Sequence, residues 1–234
     1  MNQGSLISVL TGEPGLGKTQ VVLTLLSKIK EEITPLFIYN PSLKPQEFFQ
    51  ALFKELGLKE ENPFTKDEVL KKLKAFFREE GSGKRFLLII DEAQLVPEET
   101  LEELRLITNL NEGKEINLQI FLVGQPALAE KLKKPEQAPL RQRIAIWETL
   151  KPFEKEEILP YLWFRIKQVS ESPELHLEGK LVRPLYKWTK GVPRLINKLM
   201  DRTLFIAYVK RDRTIGKKYL KEAKNTFQRE LLEL

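Results

Sequence analysis

The chain has no cysteine and a single histidine, His176. The first absence excludes disulfides and cysteine-ligated zinc, and the second excludes a histidine-rich metal site. No apolar run approaches the length needed to cross a bilayer, and the first residues lack the charged region, apolar core and cleavage site of a secretory leader. These absences predict a soluble, cytoplasmic chain. Charge of one sign is not in large excess either: 39 Lys and Arg against 33 Asp and Glu leave a net charge of +6. Such a balance fits a solvated surface and also permits nucleic acid or acidic lipid as partners. The 234 residues, 41% of them hydrophobic, suffice for one large domain or for a larger and a smaller one.

What is present begins with Gly12-Glu13-Pro14-Gly15-Leu16-Gly17-Lys18-Thr19, which fits G-x-x-x-x-G-K-[ST]. It lies where the short apolar run Leu6 to Leu10 gives way to a helix-like stretch beginning with Thr19 and Gln20. Glycines there let successive backbone N–H groups turn inward around an anion, and the helix adds the positive end of its dipole. Lys18 is the residue expected to reach the β- and γ-phosphates of a nucleoside triphosphate, with the Thr19 hydroxyl a ligand of Mg²⁺. The competing reading is a glycine-rich turn that binds nothing; the strand-loop-helix context argues against it.

From Leu6 to about Leu150, short apolar runs alternate with longer amphipathic stretches, the rhythm of an α/β parallel sheet flanked by helices. The predicted strands are Leu6 to Leu10, Leu36 to Tyr39, Phe86 to Ile90, Gln119 to Val123 and Ala145 to Leu150. Helical spacing marks Thr19 to Lys30, Pro45 to Leu56, Lys66 to Glu79 and Pro97 to Leu110; in the last, Leu101, Leu104, Ile107 and Leu110 share a face. After Lys151-Pro152-Phe153 the pattern becomes wholly helical, over Glu154 to Val169, Lys180 to Lys190, Pro193 to Val209 and Ile215 to Leu232, with no strand expected. Pro160 and Pro184 fall inside two of these stretches, so each helix either kinks or begins later than the pattern suggests. The predicted division is therefore a nucleotide-binding α/β part, residues 1–151, and an all-α part, residues 152–234.

The run Phe86-Leu87-Leu88-Ile89-Ile90 ends in Asp91-Glu92. A strand buried on both faces would deliver Asp91 to the sheet edge beside the phosphate loop, to hold Mg²⁺ through water or to contact Thr19. Glu92 is then placed to polarise the water that attacks the γ-phosphate. Gln125, at the end of the next buried run, is a candidate to bond the γ-phosphate or orient that water, or simply to cap the strand. Arg141 and Arg143, before the final strand, carry the side chain that stabilises charge in a phosphoryl-transfer transition state, often from a neighbouring subunit. Gly191-Val192-Pro193-Arg194 puts a proline at a helix start and a cation in the first turn, where the dipole disfavours it. Arg194 thus calls for an anionic partner, and a nucleotide phosphate is the natural one. His176, Trp147, Trp163 and Trp188 read as packing residues.

Taken together these segments resemble a P-loop NTPase of the AAA+ class with a helical lid after the α/β part. Ile90-Asp91-Glu92-Ala93-Gln94, Leu101-Glu102-Glu103-Leu104-Arg105-Leu106, Leu122-Val123-Gly124-Gln125-Pro126, Leu140-Arg141-Gln142-Arg143-Ile144 and Gly191-Val192-Pro193-Arg194-Leu195-Ile196-Asn197 are similar to the general secretion pathway protein A (ExeA-type) ATPases. The resemblance implies ATP as substrate, Mg²⁺ as cofactor and nucleotide-dependent homo-oligomerisation. It implies Gln125 as a first sensor, Arg194 as a second, and Arg143, or else Arg141, as a finger reaching a neighbour's site. It also implies envelope-complex assembly with an inner-membrane partner, the chain being cytoplasmic or the cytoplasmic domain of an inner-membrane protein. Relatives of this type have a stretch before the first strand that helps hold the base, whereas the phosphate loop here begins at residue 12. Transposition and replication-initiator ATPases share overlapping motifs, which leaves a nucleic-acid-associated ATP switch as the second expectation.

Overall fold

The alternating apolar runs of the first 150 residues become a five-stranded, all-parallel sheet of order β2-β3-β4-β1-β5. The computed structural model describes residues 7–29, 33–39, 41–58, 65–79, 84–110, 118–169 and 174–232. The chain divides into two compact units, Met1–Pro14 with Lys18–Leu150, and Gly15–Gly17 with Lys151–Leu234.

In the first unit the strands are β1 (Ile7–Thr11), β2 (Ile33–Ile38), β3 (Arg85–Ile90), β4 (Leu118–Gly124) and β5 (Ile144–Thr149). The helices are α1 (Lys18–Lys28), α2 (Pro45–Glu55), α3 (Lys66–Glu79), α4 (Glu98–Asn109), α5 (Pro126–Lys133) and the single turn α6 (Ala138–Arg141). Strand β3 is apolar from Phe86 to Ile90, after the exposed Arg85, because both its faces are covered there. Phe86, Leu88 and Ile90 enter the large core with α2 to α6, while Leu87 and Ile89 join Leu10, Val22 and Val123 on the side of α1. The face predicted on α4 is the buried one: Leu101, Leu104 and Ile107 are fully buried, and Leu110 packs against the same cluster. Each aligned buried leucine or isoleucine contributes roughly 1.5–3 kcal/mol, so this face rather than helix propensity anchors α4.

Strand β2 differs from its predicted extent, starting at Ile33 and ending before Tyr39, which is mostly exposed. Pro35 lies inside it and lacks an N–H, a loss that an edge strand tolerates because one side has no ladder to feed. Within the sheet β1 is flanked by β4 and β5, so the chain leaves β1 where the strand order reverses. In open parallel sheets the crevice at the carboxyl ends of such strands is where ligands bind.

The second unit packs α7 (Ile158–Lys167), α8 (Val182–Thr189), α9 (Pro193–Val209) and α10 (Lys217–Leu232) around Leu162, Leu185, Ile196, Leu199, Met200 and Leu220. The helices α7 and α8 begin later than the pattern suggests, after short 3₁₀ turns at Lys155–Glu157 and Gly179–Leu181. Pro160 and Pro184 thereby fall in the first helical turn, where a missing N–H costs no ladder bond. Contrary to expectation this part is not wholly helical. β6 (His176–Leu177) and β7 (Thr214–Ile215) form a two-residue parallel pair, the N–H of His176 donating to the Arg213 carbonyl at 2.9 Å. Trp163 and Trp188 pack against the helical core and Trp147 against the sheet core, as expected, but His176 is exposed and is not the packing residue the sequence suggested.

Candidate functional site

The loop between β1 and α1 turns on Gly15 and Gly17, whose φ angles of 86° and 95° belong to the left-handed region that residues with a Cβ avoid. Gly12 opens the loop from inside the sheet, its N–H donating to the Gly124 carbonyl at 3.2 Å. Glu13 and Pro14 are exposed at the tip, Leu16 is buried, and Gln20 faces solvent one residue into the exposed side of α1. Lys18, the first residue of α1, is only 7% exposed. Its Nζ donates to the Gly12 carbonyl at 2.8 Å and the Glu13 carbonyl at 3.3 Å, so the ammonium curls back over the loop. No carboxylate among the described residues pairs with it. A buried cation held by carbonyl dipoles has room for an anionic oxygen, and a phosphate oxygen would fit it.

Asp91 follows β3 and Gln125 follows β4, the strand between β3 and β1. Parallel pairing therefore sets the phosphate loop, Asp91 and Gln125 at the same, carboxyl edge of the sheet. The Thr19 hydroxyl donates to Asp91 Oδ2 at 3.0 Å, while Asp91 Oδ1 accepts the N–H of Glu92 at 2.8 Å. A hydroxyl and a carboxylate in contact at the mouth of a phosphate loop fit a divalent cation with hard oxygen ligands, and Thr19 and Asp91 would hold it. No cluster of three or more His, Cys, Asp or Glu side chains that could hold a metal ion occurs among the described residues.

Glu92 adopts a left-handed backbone, φ 51° and ψ 36°, and starts a 3₁₀ turn over Ala93–Leu95. Its carboxylate is held by two amides: Gln94 Nε2 donates to Glu92 Oε2 at 2.6 Å and Gln125 Nε2 donates to the same oxygen at 3.1 Å. Gln94 Oε1 in turn accepts the backbone N–H of Gln125 at 2.9 Å. The turn is braced from α5 by Lys131, whose Nζ donates to the Gln94 and Val96 carbonyls at 2.6 and 2.7 Å. Burial pushes the Lys131 ammonium below the usual lysine range. Gln94 and Lys131 were not singled out by the sequence for any role. Their contacts bridge 31 to 37 residues, and nothing local distinguishes them from surface amides and lysines.

The arginines lie elsewhere. Arg141 Nη1 donates to the Leu132 and Lys134 carbonyls at 2.9 and 3.3 Å, capping the end of α5. Arg143 immediately precedes β5, and its carbonyl accepts the N–H of Ile7 at the start of β1. Both therefore sit at the amino edge of the sheet, opposite the phosphate loop. In the second unit Pro193 occupies the first turn of α9, and the N–H of Arg194 donates to the Gly15 carbonyl at 3.1 Å.

Sheet order, loop and helical appendage define a P-loop NTPase of the AAA+ type. The chain belongs to the AAA domain family, whose model matches residues 1–132. It is 35% identical over 215 residues to General secretion pathway protein A of Aeromonas hydrophila, a match covering 90% of this chain and 38% of that protein. Among solved structures it is similar to Cdc6p from Pyrobaculum aerophilum, with a TM-score of 0.68 and 18% identity over 94% of this chain and 60% of that one. Aeropyrum pernix ORC2 in its ADP form gives 0.66 and 15%, covering 94% and 62%. The Thermotoga maritima RuvB Holliday junction branch migration motor gives 0.60 and 19%, covering 95% and 61%. At these identities the solved structures show the fold alone. The family implies nucleotide binding, and the resemblance to the secretion pathway ATPases drawn from the sequence is borne out.

Proposed function

We propose that this chain binds ATP with Mg²⁺ and hydrolyses it, and that the cycle drives or regulates assembly of an envelope complex of the type II secretion kind. The observation that carries hydrolysis is the contact of Thr19 with Asp91, with the Glu92 carboxylate one residue further on held by Gln94 and Gln125. Lys18 and the loop amides receive the phosphates, and Thr19 and Asp91 hold the cation, which when bound neutralises phosphate charge. Glu92 accepts a proton from the attacking water, and Gln125 aligns that water or the γ-phosphate.

The secretion assignment is supported by the similarity to General secretion pathway protein A, of which this chain spans 38%. Self-association coupled to the nucleotide is the expected output, because family relatives commonly oligomerise. An inner-membrane partner fits the same reading; among the described residues no helix is long and apolar enough to cross a membrane. The two directed changes separate binding from chemistry. Lys18→Ala weakens nucleotide binding at least tenfold, whereas Glu92→Gln retains binding and lowers turnover by two or more orders of magnitude, since it removes a base. Unchanged turnover in both variants refutes the site.

A second reading is favoured by one neighbour of the fold, Aeropyrum pernix ORC1 solved in complex with DNA, at a TM-score of 0.63 and 16% identity. On this view the chain is a nucleic-acid-associated ATP switch. Affinity for DNA that falls steeply between 50 and 200 mM salt supports it, and absence of binding at low salt dismisses it.

A further inference from the structure

We infer that Gln94 is a positioning residue that fixes the Glu92 carboxylate and ties it to the Gln125 main chain. The inference rests on the hydrolysis reading for its effect on turnover, but its geometry stands apart from it. Glu92 is exposed and flexible by type, and its left-handed backbone aims the side chain away from the course of β3. Something must restrain it if it is to stand at one place on the sheet edge. Gln94 does so from both ends of its amide. Nε2 reaches Glu92 Oε2 at 2.6 Å, and Oε1 takes the Gln125 N–H at 2.9 Å, which as a group at the start of α5 has no partner within the helix.

The amide is itself confined. A Cβ on Gly124 would lie 2.9 Å from Gln94 Oε1 and 2.9 Å from Leu128 Cδ2, so any larger residue there displaces the amide. Below it, Lys131 holds the Gln94 carbonyl. The side chain is thus fixed by a close approach at β4, by the start of α5 and by the brace from its last turn. Because Gln94 Oε1 accepts from the main chain, the orientation of its amide is decided and Nε2 must be the atom facing the carboxylate. A movement of Gln125 on meeting a phosphate would be passed to Glu92 through this amide as well as through its own side chain.

Two substitutions at this position separate the arms. Gln94→Met keeps length and volume and removes both bonds. Gln94→Glu keeps an acceptor for the Gln125 N–H, removes the donor to Glu92 and sets a like charge against it. With ATP and Mg²⁺ as substrate, both variants are expected to lose ten- to hundredfold in kcat, the scale of a hydrogen bond to a charged group. ATP affinity stays within twofold, a split that general loosening of the site would not give. Hydrogen exchange at the Gln125 amide accelerates in Gln94→Met and stays protected in Gln94→Glu. Turnover within twofold of the parent in both variants, or affinity falling in step with kcat, overturns the role in catalysis. Unchanged Gln125 exchange in Gln94→Met overturns the clamp itself. If the Glu92→Gln control turns over normally, the hydrolysis reading has failed, and the exchange measurement alone still decides the clamp.

Discussion

Glu92 carries both the proposed chemistry and a conformational cost. A non-glycine residue in the left-handed region costs about 1–2 kcal/mol, and glycine recovers this less roughly 0.5–1 kcal/mol of backbone entropy. Glu92→Gly and Glu92→Ala lose the same carboxylate, so their difference isolates the backbone at φ 51°. Chemical denaturation is expected to show the glycine variant more stable than the alanine variant by about 0.5–1 kcal/mol, while neither hydrolyses ATP. Equal stabilities would mean that the turn does not impose this geometry. Backbone strain of this kind clusters at functional sites, in line with the role proposed for Glu92. At this scale Gly12 to Thr19, Asp91 and Glu92 were legible because their chemistry is written in contiguous residue types. Gln94 and Lys131 were not, since an amide and a lysine acquire meaning only when β4 and α5 are brought beside the turn.

Elements show the same contrast. Strand β3 and helix α4 could be read because their periodicities are long and unbroken, whereas β6 and β7 have two residues each and pair across 38 positions. Too short to carry a pattern, they are held by what surrounds them. Asp212, between α9 and β7, accepts bonds from Tyr219 Oη at 2.6 Å, the Thr214 N–H at 2.8 Å and Lys218 Nζ at 2.9 Å. These bonds, that of Tyr219 foremost, hold the Asp212 carboxyl well below the usual carboxylate range. With the folded value depressed, its contribution to stability is complete above the unfolded value near 4 and is lost as pH falls towards the folded one. Lys218, raised above the usual lysine range by Tyr219 and then Asp212, contributes fully below a pH of about 10 for as long as Asp212 stays ionised, and its bond to that carboxylate goes with it in acid. Thermal midpoints measured from pH 7 down to about 2 should therefore drop more steeply for the parent than for Asp212→Asn, which has no carboxyl there to protonate. Parallel curves would remove this carboxylate from the stability of the α9–β7–α10 connection.

Across the whole molecule, the parallel sheet separates two sets of candidate residues that the sequence could only rank. The phosphate loop, Asp91, Glu92 and Gln125 share the carboxyl edge, but Arg143 precedes β5 at the amino edge, beside Ile7. The five residues of β1 set these edges on the order of 15 Å apart at about 3.3 Å per residue. At that distance Arg143 does not reach its own subunit's phosphate loop, so the proposed self-association would have it serve a neighbour's site instead. The Arg141 guanidinium donates to the carbonyls that end α5, which gives it a structural role of its own. The consequence is testable by mixing. Lys18→Ala lacks a working loop but retains the arginine, and Arg143→Ala has the reverse defect. Each alone should hydrolyse ATP at least a hundredfold slower than the parent, the scale of losing an arginine from a phosphoryl-transfer site. An equimolar mixture should recover up to about a quarter of parental turnover, since in a random dimeric contact one ordered arrangement in four joins an intact loop to an intact arginine. Arg141→Ala should instead lose stability through the end of α5 while keeping most of its turnover. A mixture no faster than its components would place the finger elsewhere, whereas recovery with Arg141→Ala in place of Arg143→Ala would reverse the choice between the two arginines.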